Sequence, residues 1–226
     1  MRPLKALVFD AYGTLFDVHS VAGECERLFP GHGQALSQLW RSKQLEYSWL
    51  RSLMGRYVDF NRVTADALRY ACAALGLDYS EEVLAELNRA YRTLAPFPDA
   101  RLALEALQRD APGMRLAILS NGAPDMLLAV VKNSRLESAF DAVLSVDAAG
   151  TFKPVASVYR LAEERLRYPA SEMGFVSSNG WDAAGAKAFG FTVFWVNRLH
   201  APVEGLGLAP DHILSSLEGL PRLVAP

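Results

Sequence analysis

Cysteine, histidine and net charge are all scarce in this 226-residue chain. Its two cysteines, Cys25 and Cys72, lie far apart with no Cys-x-x-Cys spacing, so they read as reduced core thiols rather than a disulfide or redox pair. The four histidines, His19, His32, His200 and His212, are scattered without the paired spacing of a zinc site and read as surface or loop residues. With 23 basic against 25 acidic side chains the formal charge is −2, which leaves no global field to recruit nucleic acid or an anionic membrane. A charged substrate must therefore be attracted locally. No apolar run approaches the roughly 18 residues that span a bilayer. The N-terminal apolar run is too short and too soon charged for a signal peptide, so a cytosolic protein is expected.

What the chain does have is 51% apolar residues, enough for a sizeable core in one large domain or a core plus a smaller insert. Leu4 to Phe9 is a short apolar run suited to a buried parallel strand, and it stops at Asp10, with Gly13 supplying a turn. Similar runs at Leu116–Leu119, Ala142–Val146, Gly174–Val176 and Thr192–Val196 alternate with helical patterns at Asp99–Arg109, Ala123–Lys132, Val155–Arg167 and Ala183–Phe189. That alternation predicts an α/β fold with a doubly wound parallel sheet.

Residues 18–96 break the alternation and read as consecutive helices. Leu36, Leu39, Trp40, Tyr47, Leu50 and Met54 form one helical stripe and Ala67, Tyr70, Ala71 and Ala74 another, ended by Gly76; both are read as core. Pro96-Phe97-Pro98-Asp99 returns the chain to the sheet, with Asp99 as the expected helix cap. The expected organisation is an α/β core of residues 1–17 and 97–226 with a helical insert of residues 18–96.

Open α/β sheets place their chemistry at strand ends. Asp10-Ala11-Tyr12-Gly13-Thr14 puts a carboxylate there with a hydroxyl four residues on. Taken alone, Asp10 is equally a turn cap accepting backbone N–H bonds. Three later segments follow in order. Ser120-Asn121-Gly122 can meet an anion near a helix start, or form a plain Asn-Gly turn. Lys153 precedes Pro154, which restricts its backbone to extended conformations. Ser177-Ser178-Asn179-Gly180-Trp181-Asp182 follows another strand.

These four segments together resemble the haloacid dehalogenase superfamily over nearly the whole chain, with its Rossmann-like core and a helical cap inserted after the first strand. Phosphatases of the superfamily carry a second Asp two residues after the nucleophile; Tyr12 in that place resembles the L-2-haloacid dehalogenase branch. The resemblance implies Asp10 as nucleophile, Lys153 as its cationic partner, and Thr14, Ser177, Asn179 and Asp182 as residues that place the hydrolytic water. It implies that Ser120 binds the substrate carboxylate, Asn121 and Arg41 receive the halide, and Tyr159 lies near Lys153. Tyr12, Leu45, Phe60 and Trp181 would be pocket walls.

The activity so implied is hydrolysis of short L-2-haloalkanoic acids to D-2-hydroxy acids through an aspartyl ester. No cofactor is expected, since Tyr12 and Asn179 replace two carboxylates that a magnesium site would use. The expected partners are the small haloacid, halide and a second copy of the chain, with no nucleic acid or membrane. Two rival readings are a magnesium-dependent phosphatase of the same fold and a catalytically silent binding protein.

Overall fold

The computed structural model describes residues 3–224. Ala6–Phe9 forms β1, every residue of it buried, as suits a central strand covered on both faces. The chain then makes four helices in succession, α1 (Val21–Leu28), α2 (Gly33–Leu53), α3 (Phe60–Ala74) and α4 (Glu81–Ala90). It returns through α5 (Pro98–Asp110), β2 (Arg115–Ser120), α6 (Pro124–Asn133), β3 (Ala142–Ser145), α7 (Ala156–Leu166), β4 (Met173–Ser177), α8 (Gly180–Phe189) and β5 (Thr192–Val196). A short β6 (His212–Leu214) and α9 (Leu220–Val224) follow.

The sheet is parallel throughout, in the order β3-β2-β1-β4-β5-β6. β1 lies between β2 and β4, with Phe9 level with Ile118 on one side and Val176 on the other. Strand order reverses there. The ends of the three central strands thus bring Asp10, Ser120 and Ser177 to one crevice, the topological switch point where open α/β sheets bind ligands.

The helical segment is held by its own packing. Trp40 Nε1 donates to the Thr64 carbonyl at 2.8 Å, Gln44 Nε2 donates to Thr64 Oγ1 at 3.1 Å, and Tyr91 OH donates to Gln44 Oε1 at 3.1 Å. A buried glutamine with a partner at each end of its amide links α2 to α3 and to the end of α4, and the two hydrogen bonds offset the desolvation of its burial. Helix starts follow local chemistry: Asp59 Oδ1 accepts from Arg62 N at 2.8 Å at the head of α3, and Pro98 opens α5. The two chain crossings between segment and sheet are tied to each other. Asp17 N donates to Ala95 O and Phe97 N to Leu15 O, each at 2.9 Å.

Several sequence expectations need correction. Leu50 (43% exposed), Met54 (63%) and Tyr70 (44%) continue apolar stripes beyond the core and face solvent. Asp99 is not the cap of α5; Phe97 holds that position, and the Asp99 carboxylate pairs with Arg198 at 2.6 and 3.0 Å while accepting from Leu217 N at 2.8 Å. The run from His212 to Leu214 is a strand, too short for period-2 alternation to register, and His212 stacks on Phe194 with ring centroids 4.8 Å apart. The 10-residue α8 begins at Gly180, three positions ahead of the expected Ala183. Cys25 and Cys72 are both buried and free. Among the described residues, no helix is long and apolar enough to cross a membrane.

Candidate active site

Asp10 leaves β1 with its backbone N–H bonded to Val176 O at 2.9 Å, which aims its carboxylate into the crevice. Lys153 Nζ donates to Asp10 Oδ1 at 3.1 Å and to Asp182 Oδ2 at 2.8 Å. Thr14 Oγ1 donates to Asp10 Oδ2 at 3.1 Å, and Asn179 Nδ2 donates to the same oxygen at 2.8 Å. These residues come from three segments: Asp10 and Thr14 from the loop after β1, Lys153 from the loop before α7, and Asn179 and Asp182 from the turn of β4 into α8. Lys153 is brought in by the loop before α7, where Asn121 Oδ1 accepts its backbone N–H at 3.0 Å and the Lys153–Pro154 peptide is cis.

Beneath this floor Asp182 is fully buried and saturated. Tyr159 OH donates to its Oδ1 at 2.7 Å, while Ser177 Oγ (3.2 Å) and Lys153 share its Oδ2. Burial pushes the Asp182 carboxyl up to about 6, with Lys153 pulling the other way and Asp10 adding to the rise. Burial alone would strip the proton from Lys153, but two carboxylates outweigh it and hold the ammonium above its ordinary range. The Tyr159 phenol is driven well above its usual value by burial and by Asp182, and it stays a donor.

Above Asp10 lies a small cavity lined by Asp10, Tyr12, Arg41, Leu45, Phe60, Ser120, Asn121, Asn179 and Trp181. Its volume of about 10 Å³ holds roughly one water molecule. Larger surface grooves exist, such as one of about 480 Å³ along α6, β3 and α7, but none of these residues lines it. The cavity walls come from both parts of the chain. Arg41 and Leu45 descend from α2, Phe60 opens α3, and Trp181 in the first turn of α8 meets Trp49 of α2 edge-on at 5.4 Å.

Of the fourteen positions read from the sequence, the cavity and the network around Asp10 unite all. Two sit differently from expectation. Tyr159 does not line the cavity; it is fully buried and bonded to Asp182. Asp182 likewise faces Lys153 from below and presents no oxygen to the cavity. Asn121 splits its work, lining the cavity while its side-chain oxygen fixes the lysine loop.

Other supports lie outside any motif. Arg198 Nη2 donates to the Thr14 carbonyl at 3.1 Å while its guanidinium lies 4.0 Å above the Phe97 ring. Ser145 Oγ donates to Gly122 O at 2.7 Å. Gly122 itself is obligatory, because a Cβ there would meet the Tyr12 ring at 2.6 Å. Among the described residues no group of three or more His, Cys, Asp or Glu side chains could hold a metal ion. Asn179 also turns its NH₂ towards Asp10, a donor where a cation site needs an acceptor.

A carboxylate at the switch point of a parallel sheet, paired with a buried lysine and facing a small cavity with apolar walls on one part and polar side chains on another, is equipped for nucleophilic displacement and so for hydrolysis by way of an enzyme ester. Comparison with known proteins makes that class specific. The chain belongs to the haloacid dehalogenase-like hydrolases, whose family model matches residues 4–190. A relative named (S)-2-haloacid dehalogenase H-109, from Pseudomonas putida, is 50% identical over 217 residues, spanning 96% of each chain. The structure of L-2-haloacid dehalogenase from Xanthobacter autotrophicus superposes with a TM-score of 0.92 at 50% identity, covering 98% of each chain. The same enzyme with chloropropionic acid covalently bound matches with the same TM-score, identity and coverage.

Proposed function

We propose that this protein hydrolyses short L-2-haloalkanoic acids to D-2-hydroxy acids through an ester on Asp10. The observation that carries the reading is the 3.1 Å pair of Asp10 and buried Lys153 under a cavity walled by Tyr12, Leu45, Phe60 and Trp181 and also lined by Arg41. The covalent chloropropionic acid in the Xanthobacter relative supports the same route.

A hydrated carboxylate is a poor nucleophile towards carbon, and a nearly dry one protonates unless a cation holds its charge. Lys153 supplies that cation. Asp10 Oδ2 accepts two hydrogen bonds and Oδ1 one, so Oδ1 retains the lone pair for attack. It forms a bond to C2 as the carbon–halogen bond breaks, and the electron pair leaves with the halide towards Arg41, Asn121 and Trp181. Ser120 Oγ accepts from Gly122 N at 3.1 Å, leaving its proton for the substrate carboxylate.

Water then adds to the carboxyl carbon of Asp10 and the bond from that carbon to Oδ1 breaks, so C2 is inverted only once. One water proton passes to the departing Oδ1, which leaves in the hydroxy acid, and the other is released to solvent as the Asp10 carboxylate reforms. The oxyanion develops on Oδ2, where Thr14 and Asn179 already donate. Asn179 Oδ1 and the remaining lone pair of Thr14 are left to accept from the water. Asp182 acts through Lys153, with Ser177 and Tyr159 fixing it, rather than by touching the water.

Residues 18–96 act in this reading as a cap over residues 1–17 and 97–226. A cavity of about 10 Å³ admits a haloacid only when cap and core part. Polar contacts at the rim of their seam are exposed and weak enough to part: Asn61 and Arg92 with Asp125 at 2.9 and 2.6 Å, and Tyr57 with Asp147. The exposed Leu50, Leu53, Met54 and Tyr70 of α2 and α3 form an apolar face suited to a second copy of the chain, and we assign the enzyme to the cytosol as a homodimer.

Single turnover in heavy-oxygen water tests the covalent route. The first hydroxy acid should carry light oxygen from Asp10, with heavy label left in the protein. Heavy label wholly in the product would mean direct attack by water and would discard Asp10 as nucleophile.

A further inference from the structure

Tyr12 lines the active cavity and is only 3% exposed, yet its phenol OH has no hydrogen-bond partner among the described residues. A buried unpartnered hydroxyl is costly, and its persistence in a catalytic pocket calls for a ligand. The ring cannot swing away to find one. It lies against the Gly122 backbone and between the rings of Phe60 and Tyr91, with centroids 6.3 and 6.2 Å distant.

The surroundings define which ligand. Arg41 lines the same cavity, and its guanidinium forms no ion pair among the described residues. Arg92 and, less strongly, Arg41 are the cations whose charges reach the phenol, with Asp125 the more weakly felt anion, already paired with Arg92 at 2.6 Å. Burial, then Tyr91, raises the phenol's proton affinity, so it remains a donor at every working pH. A fixed O–H with no acceptor, on a residue that shares a cavity with an unpaired guanidinium, suits a small anion.

Resting on the dehalogenase reading, we infer that the Tyr12 phenol is a halide-contacting catalytic residue: its O–H donates to the halogen as the carbon–halogen bond breaks and holds the freed halide with Arg41. Asp10 Oδ1 forms the new bond to C2, the halide takes the electron pair, and Tyr12 keeps its proton throughout. The residue that replaces the phosphatase acid is thus more than a wall. Its hydroxyl sets halogen preference, because chloride accepts a hydrogen bond more strongly than bromide and gains more from the donor.

The test compares wild type with Tyr12→Phe, which keeps the ring and deletes only the unpartnered group. The thermal midpoint should be unchanged or higher, since no folded-state hydrogen bond is lost. Turnover of L-2-chloropropionate should fall about tenfold and that of L-2-bromopropionate about threefold, raising the bromide-to-chloride ratio, which a merely structural role would leave alone. Chloride binding is read separately, as the chloride-dependent rise in thermal midpoint at constant ionic strength. Tyr12→Phe should need about tenfold more chloride for the same rise. An unchanged chloride response overturns the proposal whatever the rates, and so does an unchanged halogen ratio. Failure of the wild type to release halide from either acid overturns the dehalogenase reading instead, and the chloride titration still decides Tyr12.

Discussion

The floor and the roof of the cavity are built on opposite plans. On the floor, Asp10, Lys153, Asp182, Thr14, Asn179 and Tyr159 form one closed network in which every charge has a partner. On the roof, Leu45, Phe60 and Trp181 are apolar, and the polar groups of Arg41 and Tyr12 are unpaired among the described residues. A self-satisfied network is rigid and holds a nucleophile in one orientation. An unpaired one is complementary to something that arrives later. The floor keeps Asp10 charged in the resting enzyme, whereas the roof waits for charge that appears only as the carbon–halogen bond breaks.

The largest effect should come from breaking the floor. Lys153→Ala leaves Asp10 and Asp182, 6% and 0% exposed, facing each other without a cation. Stripping one partner from a buried ion pair costs about 3–5 kcal/mol, readable by urea unfolding, and turnover should fall by about 10³-fold or more. A loss below about 1 kcal/mol would mean that the two carboxylates manage without the lysine, and the contrast between floor and roof would fail.

A smaller effect sharpens the same contrast through pH. The Asp182 carboxyl titrates near 6, above its ordinary 3.8, because burial favours the neutral form. Between those values the folded state binds the proton more tightly than the unfolded one, so Asp182 contributes stability that declines as pH rises towards 6. Catalysis should run the other way. Protonating Asp182 removes the charge that steadies Lys153, so turnover should decline as pH drops through about 6 while this group's contribution to stability rises. Rate and thermal midpoint measured from pH 7 to 5 should diverge, and Asp182→Asn, slow at all pH values, should lack that acid limb. A rate that tracks the midpoint throughout would remove Asp182 from the working site.

Much of the floor is legible in the sequence because it sits where apolar runs stop. A run such as Ala6–Phe9 followed by Asp10, or Met173–Ser177 with Asn179 two positions on, marks a strand end, and parallel order stacks those ends in one crevice. The resemblance to known dehalogenases then fixed which polar residues belong together. The roof is less legible, since helical periodicity reads Leu36 and Trp40, which are buried, in the same way as Leu50 and Met54, which are exposed. Arg198 escaped altogether: its partners Thr14, Phe97 and Asp99 lie about a hundred or more positions away, and no local pattern links them. The unpaired Tyr12 hydroxyl is likewise a fact of packing; the sequence shows only that an acid is missing.

The smallest effect belongs to the seam between the helical segment, which carries Arg41, Leu45 and Phe60 of the roof, and the α/β part, which carries the floor. Tyr57 of the helical segment donates its hydroxyl to Asp147 of the α/β part and packs its ring 5.0 Å from Phe152. Tyr57→Phe deletes the hydrogen bond and keeps the ring contact. Because Asp147 is exposed and water can take over the bond, the cost should be about 1 kcal/mol or less. If chemistry at the floor limits turnover, kcat should stay within about twofold and KM should carry whatever change remains. A tenfold rise or fall in kcat would show instead that parting of the helical segment from the α/β part sets the rate. Opening would then belong to the catalytic cycle as much as Asp10 does, and the floor could not be treated as the part that works while the roof waits.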